Sequence, residues 1–212
     1  MKLKICGLTN LPDARYCAAT NADFLGFIRY PKSPRYVSEA DAKEIIAWIG
    51  GPETVGVYVN ETPEIINKET NNIGFSYVQL SGDESPEDCA KIHLPVIKGF
   101  RVAEGETALR LRLRMEPFRP YVAYFLLDTH RKNEYGGTGE VFDWAIAREL
   151  AKEFPLFLAG GLSHKNAHHA AESVRPFGLD VSSRLEEQPG IKDLDKVDAF
   201  MEVWASILNE VP

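Results

Sequence analysis

Cysteine is scarce in this chain of 212 residues, which has three, at positions 6, 17 and 89. They lie far apart and show none of the paired spacings that typify zinc sites. An odd number also argues against a disulfide framework. The sequence therefore predicts that Cys6, Cys17 and Cys89 are reduced thiols.

Long apolar runs are absent as well. No stretch approaches the run of about 20 apolar residues that spans a bilayer. The first residues, MKLKICG, contain no extended apolar region of the signal-peptide type and resemble the start of a strand. We therefore expect no membrane partner and a cytoplasmic location.

Basic residues are in deficit. The chain has 24 Lys and Arg against 31 Asp and Glu, a formal net charge of -7 at pH 7. Nucleic-acid binding draws its affinity from a concentrated basic surface, so we expect no nucleic-acid partner. An anionic ligand would instead need a local positive pocket.

Short runs rich in Val, Ile, Phe and Leu alternate with longer amphipathic stretches along the whole chain. This pattern is typical of parallel strands connected by crossover helices. The strands are predicted at residues 2–6, 24–28, 54–59, 77–80, 96–100, 124–128, 156–159 and 179–181. Eight such units in one α/β domain, residues 1–212, predict a (β/α)8 TIM barrel. An open doubly wound sheet has the same periodicity and remains the alternative.

Several helices have recognisable start signals. Ser38, Thr62, Ser85 and Ser163 each place a side-chain oxygen before helix-forming residues, as helix N-caps do. The segment 109–114, LRLRLR, alternates with period two like a strand, yet its position between the fifth and sixth strands requires a helix. We assign it as a helix whose arginines form a solvated outer face rather than a basic binding stripe.

Two side chains that can take part in acid–base chemistry lie at the ends of predicted strands. The active sites of such barrels lie where the strands end. Cys6 ends the first strand and precedes Gly7, and Asp128 ends the apolar sixth strand. A free cysteine is more often a small buried hydrophobe, and an aspartate in this position can be a cap or a structural acceptor. Both residues are nevertheless the first candidates for catalysis.

A loop after the second strand carries three cations, Arg29, Lys32 and Arg35. Pro31 and Pro34 rigidify this loop, because each proline fixes its own φ angle. An arginine suits a planar carboxylate, since its guanidinium donates two parallel hydrogen bonds. We choose Arg35 as the carboxylate-binding residue. The alternative is a loop of solvated surface charges.

Glycine-rich or serine-rich turns follow the last three strands. They contain Gly136, Gly137 and Gly139, then Gly160 and Gly161, then Ser182, Ser183 and Arg184. Loops after strands seven and eight of such barrels often bind phosphate through backbone N–H groups, and glycine lets the backbone approach an anion closely. Each turn taken alone is also compatible with a purely structural role.

The histidines at positions 164, 168 and 169 suggest a metal site by their spacing. They follow a glycine turn in a predicted helix, where a hydrophilic outer face is expected. No carboxylate or cysteine completes an obvious ligand set. We therefore expect no metal at these histidines.

Together these motifs resemble the phosphoribosylanthranilate isomerase family, over nearly the whole chain. The resemblance is carried by KICG at 4–7, PKSPR at 31–35, LD at 127–128, GGTG at 136–139 with FDW at 142–144, AGGL at 159–162 and LDVSS at 179–183. It implies a (β/α)8 barrel. It also implies an Amadori rearrangement of N-(5-phospho-β-D-ribosyl)anthranilate to 1-(2-carboxyphenylamino)-1-deoxy-D-ribulose 5-phosphate in tryptophan biosynthesis.

The resemblance also implies roles for individual residues. Asp128 would be the general acid that protonates the ring oxygen, and Cys6 the general base that takes the C2′ proton. Arg35 would hold the anthranilate carboxylate. The amides around Gly160, Gly161, Ser182 and Ser183 would hold the phosphate. No cofactor or metal is implied, and the family includes both monomers and homodimers.

Three positions depart from the family pattern. Ser81 stands where histidine is common, Arg184 where glycine is common, and Glu140 where a basic or neutral residue is usual. Arg184 either adds a charge-assisted phosphate contact or distorts the turn. Other phosphate-binding barrels, such as a histidine-pathway sugar isomerase or indole-glycerol-phosphate synthase, do not account for Cys6 together with Arg35. The second functional alternative is a catalytically retired barrel with a regulatory or assembly role.

Overall fold

The computed structural model describes residues 1–103, 105–128 and 142–210, with residues 142 and 143 described by their backbone alone. The strands of the main sheet are β1 (Lys2–Cys6), β2 (Phe24–Ile28), β3 (Glu53–Tyr58), β4 (Tyr77–Leu80), β5 (Val96–Arg101), β6 (Tyr124–Asp128), β7 (Leu156–Ala159) and β8 (Gly178–Val181). Two short strands, β9 (Glu186–Gln188) and β10 (Ile191–Lys192), form a separate antiparallel pair.

The helices alternate with the strands of the main sheet. They are α1 (Leu11–Ala19), α2 (Glu39–Ala47), α3 (Pro63–Ile73), α4 (Pro86–Ala90), α5 (Ala108–Met115), α6 (Phe142–Leu150), α7 (Ala167–Val174) and α8 (Leu194–Glu210). Among the described helices, none is long and apolar enough to cross a membrane.

The main sheet is a closed barrel. Its strands follow in chain order from β1 to β8, and β1 pairs in parallel with both β2 and β8. In that register Lys4 lies opposite Phe24 on one side and opposite Asp180 on the other. The predicted (β/α)8 barrel is therefore confirmed, and the open sheet is excluded.

The barrel interior is filled by side chains that alternate along the strands, as parallel strands require. At the lower end of the barrel, where the strands begin, a cluster of aromatic rings packs together, some edge to face and others face to face. Phe24 lies 5.3 Å from Tyr77 and 5.5 Å from Phe157 between ring centroids, and Tyr124 stacks on Phe177 at 4.5 Å. Each buried ring of this size contributes about 1.5–3 kcal/mol of burial free energy. Because these rings fill the lower end of the barrel, a ligand site can form only at the upper end, where the strands end.

Three of the predicted helix starts are confirmed. The side chains of Ser38, Thr62 and Ser85 accept hydrogen bonds from the backbone of the first helical turn, and Ser85 forms a reciprocal capping box with Asp88. The predicted cap at Ser163 is wrong, because α7 begins at Ala167. The amide of Ser163 instead donates to Asn166 Oδ1 at 2.8 Å, closing a turn ahead of the helix.

The segment 109–114 is helical, as predicted. Leu111 and Met115, four residues apart, are fully buried, whereas Leu109 and Leu113 are 60% and 66% exposed. Two of the three leucines in this pattern therefore face solvent. Arg112 pairs at the outer surface with Glu149 at 3.1 Å and with Glu153 at 2.6 Å, which agrees with an outer charged face.

Some strand boundaries differ slightly from the prediction. β3 begins and ends one residue earlier, β5 extends to Arg101, and β8 begins at Gly178. Gly178 has no side chain to signal a strand, and the ring of Phe157 occupies the space that its Cβ would need, 2.5 Å away.

Candidate active site

Cys6 ends β1 inside the barrel, where 5% of the residue is exposed. Gly26 lies opposite it on β2. A Cβ at position 26 would meet Cys6 Sγ at 2.7 Å and Lys4 Nζ at 3.1 Å. Only glycine leaves room for these two side chains, so Gly26 places the thiol and the ammonium side by side.

Lys4 was not predicted as a site residue. Its side chain is fully buried, and its Nζ donates to Asp180 Oδ1 on β8 at 2.9 Å. Lys4 and Cys6 are two residues apart on β1, and residues i and i+2 of a strand face the same side. That spacing is the one sequence signal that could have found Lys4.

The electrostatics of the thiol and the ammonium are linked. Burial raises the pKa of the Cys6 thiol, against the lowering effects of the Lys4 and Lys192 charges. Burial pulls the pKa of Lys4 down, but Asp180 and Cys6 together raise it above the usual lysine value. Lys4 is therefore a cation in this apolar interior.

Asp128 ends β6, opposite Ala159 of β7, as the sequence predicts. Its carboxylate acts on Asp180 across the barrel. Burial raises the pKa of Asp180, Lys4 lowers it, and the charge of Asp128 raises it further. Asp128 thus shares the upper end of the barrel with Asp180, Lys4 and Cys6.

Arg35 lies in the loop after β2 and contacts a carboxylate of the protein itself. Its Nε donates to both oxygens of Glu186, at 2.8 and 3.0 Å, and its Nη2 donates to Oε2 at 2.7 Å. Lys192 Nζ reaches the same carboxylate at 3.1 Å and the carbonyl oxygen of Cys6 at 2.7 Å. Neither Glu186 nor Lys192 was predicted, because their partners are far away in the sequence.

The Glu186 carboxylate is an anion between two cations. Burial raises the pKa of Glu186, but the hydrogen bonds and charges of Arg35 and Lys192 lower it below the usual value. The guanidinium has five N–H donors, and the contacts with Glu186 use its Nε–Nη2 edge. Its Nη1 group is left as a donor for a second anion. The Arg35 side chain is 22% exposed.

The other two cations of this loop have different surroundings. Arg29 is buried, and its Nε donates to Glu69 at 3.0 Å while its Nη1 donates to the carbonyl oxygen of Val37. Lys32 is exposed. Arg35 is thus the loop cation that lies at the upper end of the barrel.

Gly7, which follows Cys6, lies between the loop that carries Arg35 and the loop after β8. Its φ is +82°, and a Cβ there would meet Arg35 Cδ at 2.8 Å and Ser182 Oγ at 2.9 Å. Arg35 and Ser182 therefore converge on the residue that follows Cys6. A side chain at position 7 would separate them.

The two turns predicted to bind phosphate follow β7 and β8. Gly160 and Gly161 both have left-handed backbone, with φ of 102° and 70°. Ser182 follows β8, and Ser183 begins a short 3₁₀ turn in which the amide of Leu185 donates to the carbonyl oxygen of Ser182 at 3.0 Å. Such turns present backbone N–H groups to an anion.

Arg184 is exposed and lies in that 3₁₀ turn. It is not among the residues with positive φ, so its backbone does not need the glycine common at this position. The hydroxyl oxygen of Ser81 accepts a hydrogen bond from Gln79 Nε2 at 3.0 Å. Residues 136–139 and Glu140 lie outside the described residues.

His164, His168 and His169 do not converge on a shared ligand set. His168 Nε2 lies 3.0 Å from Glu210 Oε2, and the ring of His169 contacts that of Trp144. Within the described parts of the chain, no group of three or more His, Cys, Asp or Glu side chains could hold a metal ion.

Comparisons with known proteins agree on one family. A family model described as N-(5'phosphoribosyl)anthranilate (PRA) isomerase matches residues 3–203. The N-(5'-phosphoribosyl)anthranilate isomerase of Aquifex aeolicus is 45% identical over 205 residues, which cover 95% of this chain and 97% of the relative.

Solved structures show the same likeness. The phosphoribosyl anthranilate isomerase of Thermotoga maritima superposes with a TM-score of 0.87 at 38% identity, covering 97% of this chain and 99% of that one. A phosphoribosyl anthranilate isomerase in complex with reduced 1-(o-carboxyphenylamino)-1-deoxyribulose 5-phosphate has a TM-score of 0.85 at 36% identity, with the same coverage of both chains.

Proposed function

Because the chain belongs to the N-(5'-phosphoribosyl)anthranilate isomerase family and catalyses its Amadori rearrangement in tryptophan biosynthesis, we propose that Cys6 and Asp128 are the base and the acid. The observation that carries this proposal is their position. Both residues end strands at the same end of the barrel, and both act electrostatically on Asp180 or its partner Lys4.

The two assigned proton transfers take place at atoms on either side of C1′, the ring oxygen and C2′. Asp128 donates a proton to the furanose ring oxygen, the C1′–O bond breaks, and a Schiff base forms. Cys6, as a thiolate, removes the C2′ proton, and the electron pair moves to give an enolamine. Protonation at C1′ with loss of the O2′ proton then gives the ketone. The atoms balance without any redox partner, and each positioned group contributes about 10²–10⁴-fold.

The substrate carries an anion at each end. We assign its anthranilate carboxylate to the free edge of Arg35, and its phosphate to the amides of the turns at 160–161 and 182–183. The similar protein that binds the reduced product supports this assignment, because that ligand has both anionic groups. Arg184 is exposed beside the second turn and would add a charge-assisted contact to the phosphate. Binding at both ends holds the sugar between base and acid.

The test is turnover of phosphoribosylanthranilate without added metal, followed by the loss of substrate fluorescence. Cys6→Ala should abolish measurable turnover. Cys17→Ala is the matched control, because Cys17 is also fully buried but packs in the outer layer of the fold. Full activity of Cys6→Ala, or equal loss in both variants, would contradict the assignment of the base.

The alternative of a catalytically retired barrel, to which the departures at Ser81 and Arg184 point, is not adopted, because the isomerase family model matches residues 3–203. It predicts product-analogue binding without turnover, and failure to complement an isomerase-deficient tryptophan auxotroph. We also propose that the enzyme works in the cytoplasm, since a catalytic thiol must stay reduced. Fractionation of cells that express a tagged chain tests this location.

A further inference from the structure

We propose that Lys4 is a positioning residue for the reaction, whose buried ammonium group stabilises the thiolate of Cys6 in the barrel interior. Lys4 does not contact the substrate and keeps its proton throughout. The proposal rests on the assignment of Cys6 as the base. It adds the charged group that allows a buried thiol to ionise and act as a base.

The geometry places the ammonium beside the sulfur. Both Cys6 Sγ and Lys4 Nζ lie within about 3 Å of one point, the missing Cβ of Gly26, at 2.7 and 3.1 Å. Asp180 Oδ1 fixes the ammonium from the other side at 2.9 Å. The ammonium of Lys4 thus lies near both the sulfur of Cys6 and the carboxylate of Asp180.

The surroundings make such a cation necessary. A thiolate is the nucleophilic and basic form of cysteine, and burial in an apolar environment disfavours it. Cys6 is 5% exposed, and it belongs to a buried apolar cluster that also contains Val55, Val57 and Leu126. An opposite charge within about 4–6 Å offsets this effect. Lys4 supplies that charge at the sulfur itself.

Other charged groups lie around Cys6 and its neighbours, on four further strands and one loop. Their charges differ in sign: Lys192 of β10 and Arg35 of the loop after β2 are cations, whereas Asp180 of β8 and Glu186 of β9 carry carboxylates and Asp128 of β6 carries the carboxyl group assigned as the acid. Lys192 contacts the carbonyl oxygen of Cys6, and Arg35 is bound by Glu186. Among the described residues, Lys4 is the lysine whose Nζ lies beside Cys6 Sγ, where the Cβ of residue 26 would stand.

Lys98 provides a matched control within the same chain. It is also a buried lysine on a barrel strand, and its Nζ lies 2.6 Å from Glu84 Oε2. Its side chain faces the outer layer, near the rings of Phe100 and Phe118. Lys98 thus has the burial and the carboxylate partner of Lys4, but it lies away from Cys6.

The experiment compares Lys4→Met with Lys98→Met. The Cys6 thiolate is followed by its ultraviolet absorbance against pH, as the difference between each protein and the same protein with Cys6→Ala. Lys4→Met should raise the midpoint of thiolate formation by about one to three pH units. It should lower kcat about tenfold or more at neutral pH with little change in KM, and kcat should recover as the pH rises. Lys98→Met should leave both the midpoint and this profile unchanged.

Two further variants keep the test decisive if Lys4→Met does not fold. Lys4→Arg keeps the charge and should keep a midpoint close to that of the wild type. Asp180→Asn removes a negative charge from the pair and should lower the midpoint. A folded Lys4→Met with an unchanged midpoint would overturn the proposal, and so would a midpoint raised by about one pH unit or more in Lys4→Arg.

The outcomes also separate this proposal from the assignment of Cys6. If Cys6→Ala retains full turnover, the assigned base is wrong, whatever the lysine variants do. If Cys6→Ala is inactive but Lys4→Met titrates like the wild type, Cys6 stands as the base and the role of Lys4 is refuted.

Discussion

Replacing Arg35 with alanine tests the carboxylate clamp and has two consequences of different size. The first is on stability. Arg35 makes three charge-assisted hydrogen bonds to Glu186, at 2.7 to 3.0 Å, and removing one partner of a buried ion pair costs about 3–5 kcal/mol. Lys192 still contacts the carboxylate, and the Arg35 side chain is 22% exposed. We therefore expect a smaller loss, about 1–3 kcal/mol.

The second consequence is on binding. A hydrogen bond to a charged group contributes about 1.5–3 kcal/mol, and every 1.4 kcal/mol is about tenfold in affinity. Arg35→Ala should thus weaken binding of the reduced product about 10- to 150-fold. Isothermal titration calorimetry under conditions where the variant is folded gives this ratio directly.

Two controls make the binding result specific. Lys32→Ala removes an exposed cation from the same loop and should leave the affinity unchanged. A product analogue without the anthranilate carboxylate should bind equally well to the wild type and to Arg35→Ala. The clamp would be refuted if Arg35→Ala bound the complete analogue as tightly as the wild type does, or if the carboxylate-free analogue lost as much affinity.

Three other perturbations have defined outcomes. Asp128→Asn should lower kcat about 10²–10⁴-fold while the affinity for a product analogue changes little. A kcat close to the wild-type value in steady-state kinetics would contradict the assignment of Asp128 as the acid. Gly26→Ala should reduce kcat, because its Cβ would lie 2.7 Å from Cys6 Sγ, whereas Gly50→Ala, with open space around it, should not. The pKa of Glu186 is lowered in the folded state. Its ionised carboxylate therefore stabilises the fold at pH values above its pKa in the unfolded chain, and this stabilisation is lost as the pH falls through its pKa in the folded protein. Urea unfolding should show this decrease in the free energy of unfolding at acid pH in the wild type but not in Glu186→Gln.

The barrel could be predicted from sequence because its signals are local. Strand periodicity and the order of the elements follow from neighbouring residues, and the topology of a parallel barrel then brings all strand ends to one face. Cys6 and Asp128 were found in this way, as strand-end residues. The predicted cap at Ser163 was wrong for a local reason too, since Asn166 closes a turn there before the helix begins.

The charged partners inside the barrel could not be predicted in the same way. Lys4 and Asp180 are 176 residues apart in the chain, and Arg35 and Glu186 are 151 apart. Nothing in the sequence near either cation specifies a distant carboxylate. Hydrophobicity arguments place lysine and glutamate at the surface, because they are almost never fully buried unless paired, and the pairing itself is a property of the closed fold.

These pairs tie the clamp to the base. Arg35 is bound to Glu186, Glu186 to Lys192, and Lys192 to the carbonyl oxygen of Cys6. The thiol of Cys6 lies beside the ammonium group of Lys4. A substrate carboxylate at Nη1 of Arg35 would share the guanidinium with Glu186, which Lys192 connects to the backbone of Cys6. The acidic chain thus places a lysine on each side of Cys6, Lys192 at its backbone and Lys4 at its thiol. The binding of a carboxylate at Arg35 and the ionisation of the Cys6 thiol therefore depend on one connected set of charges.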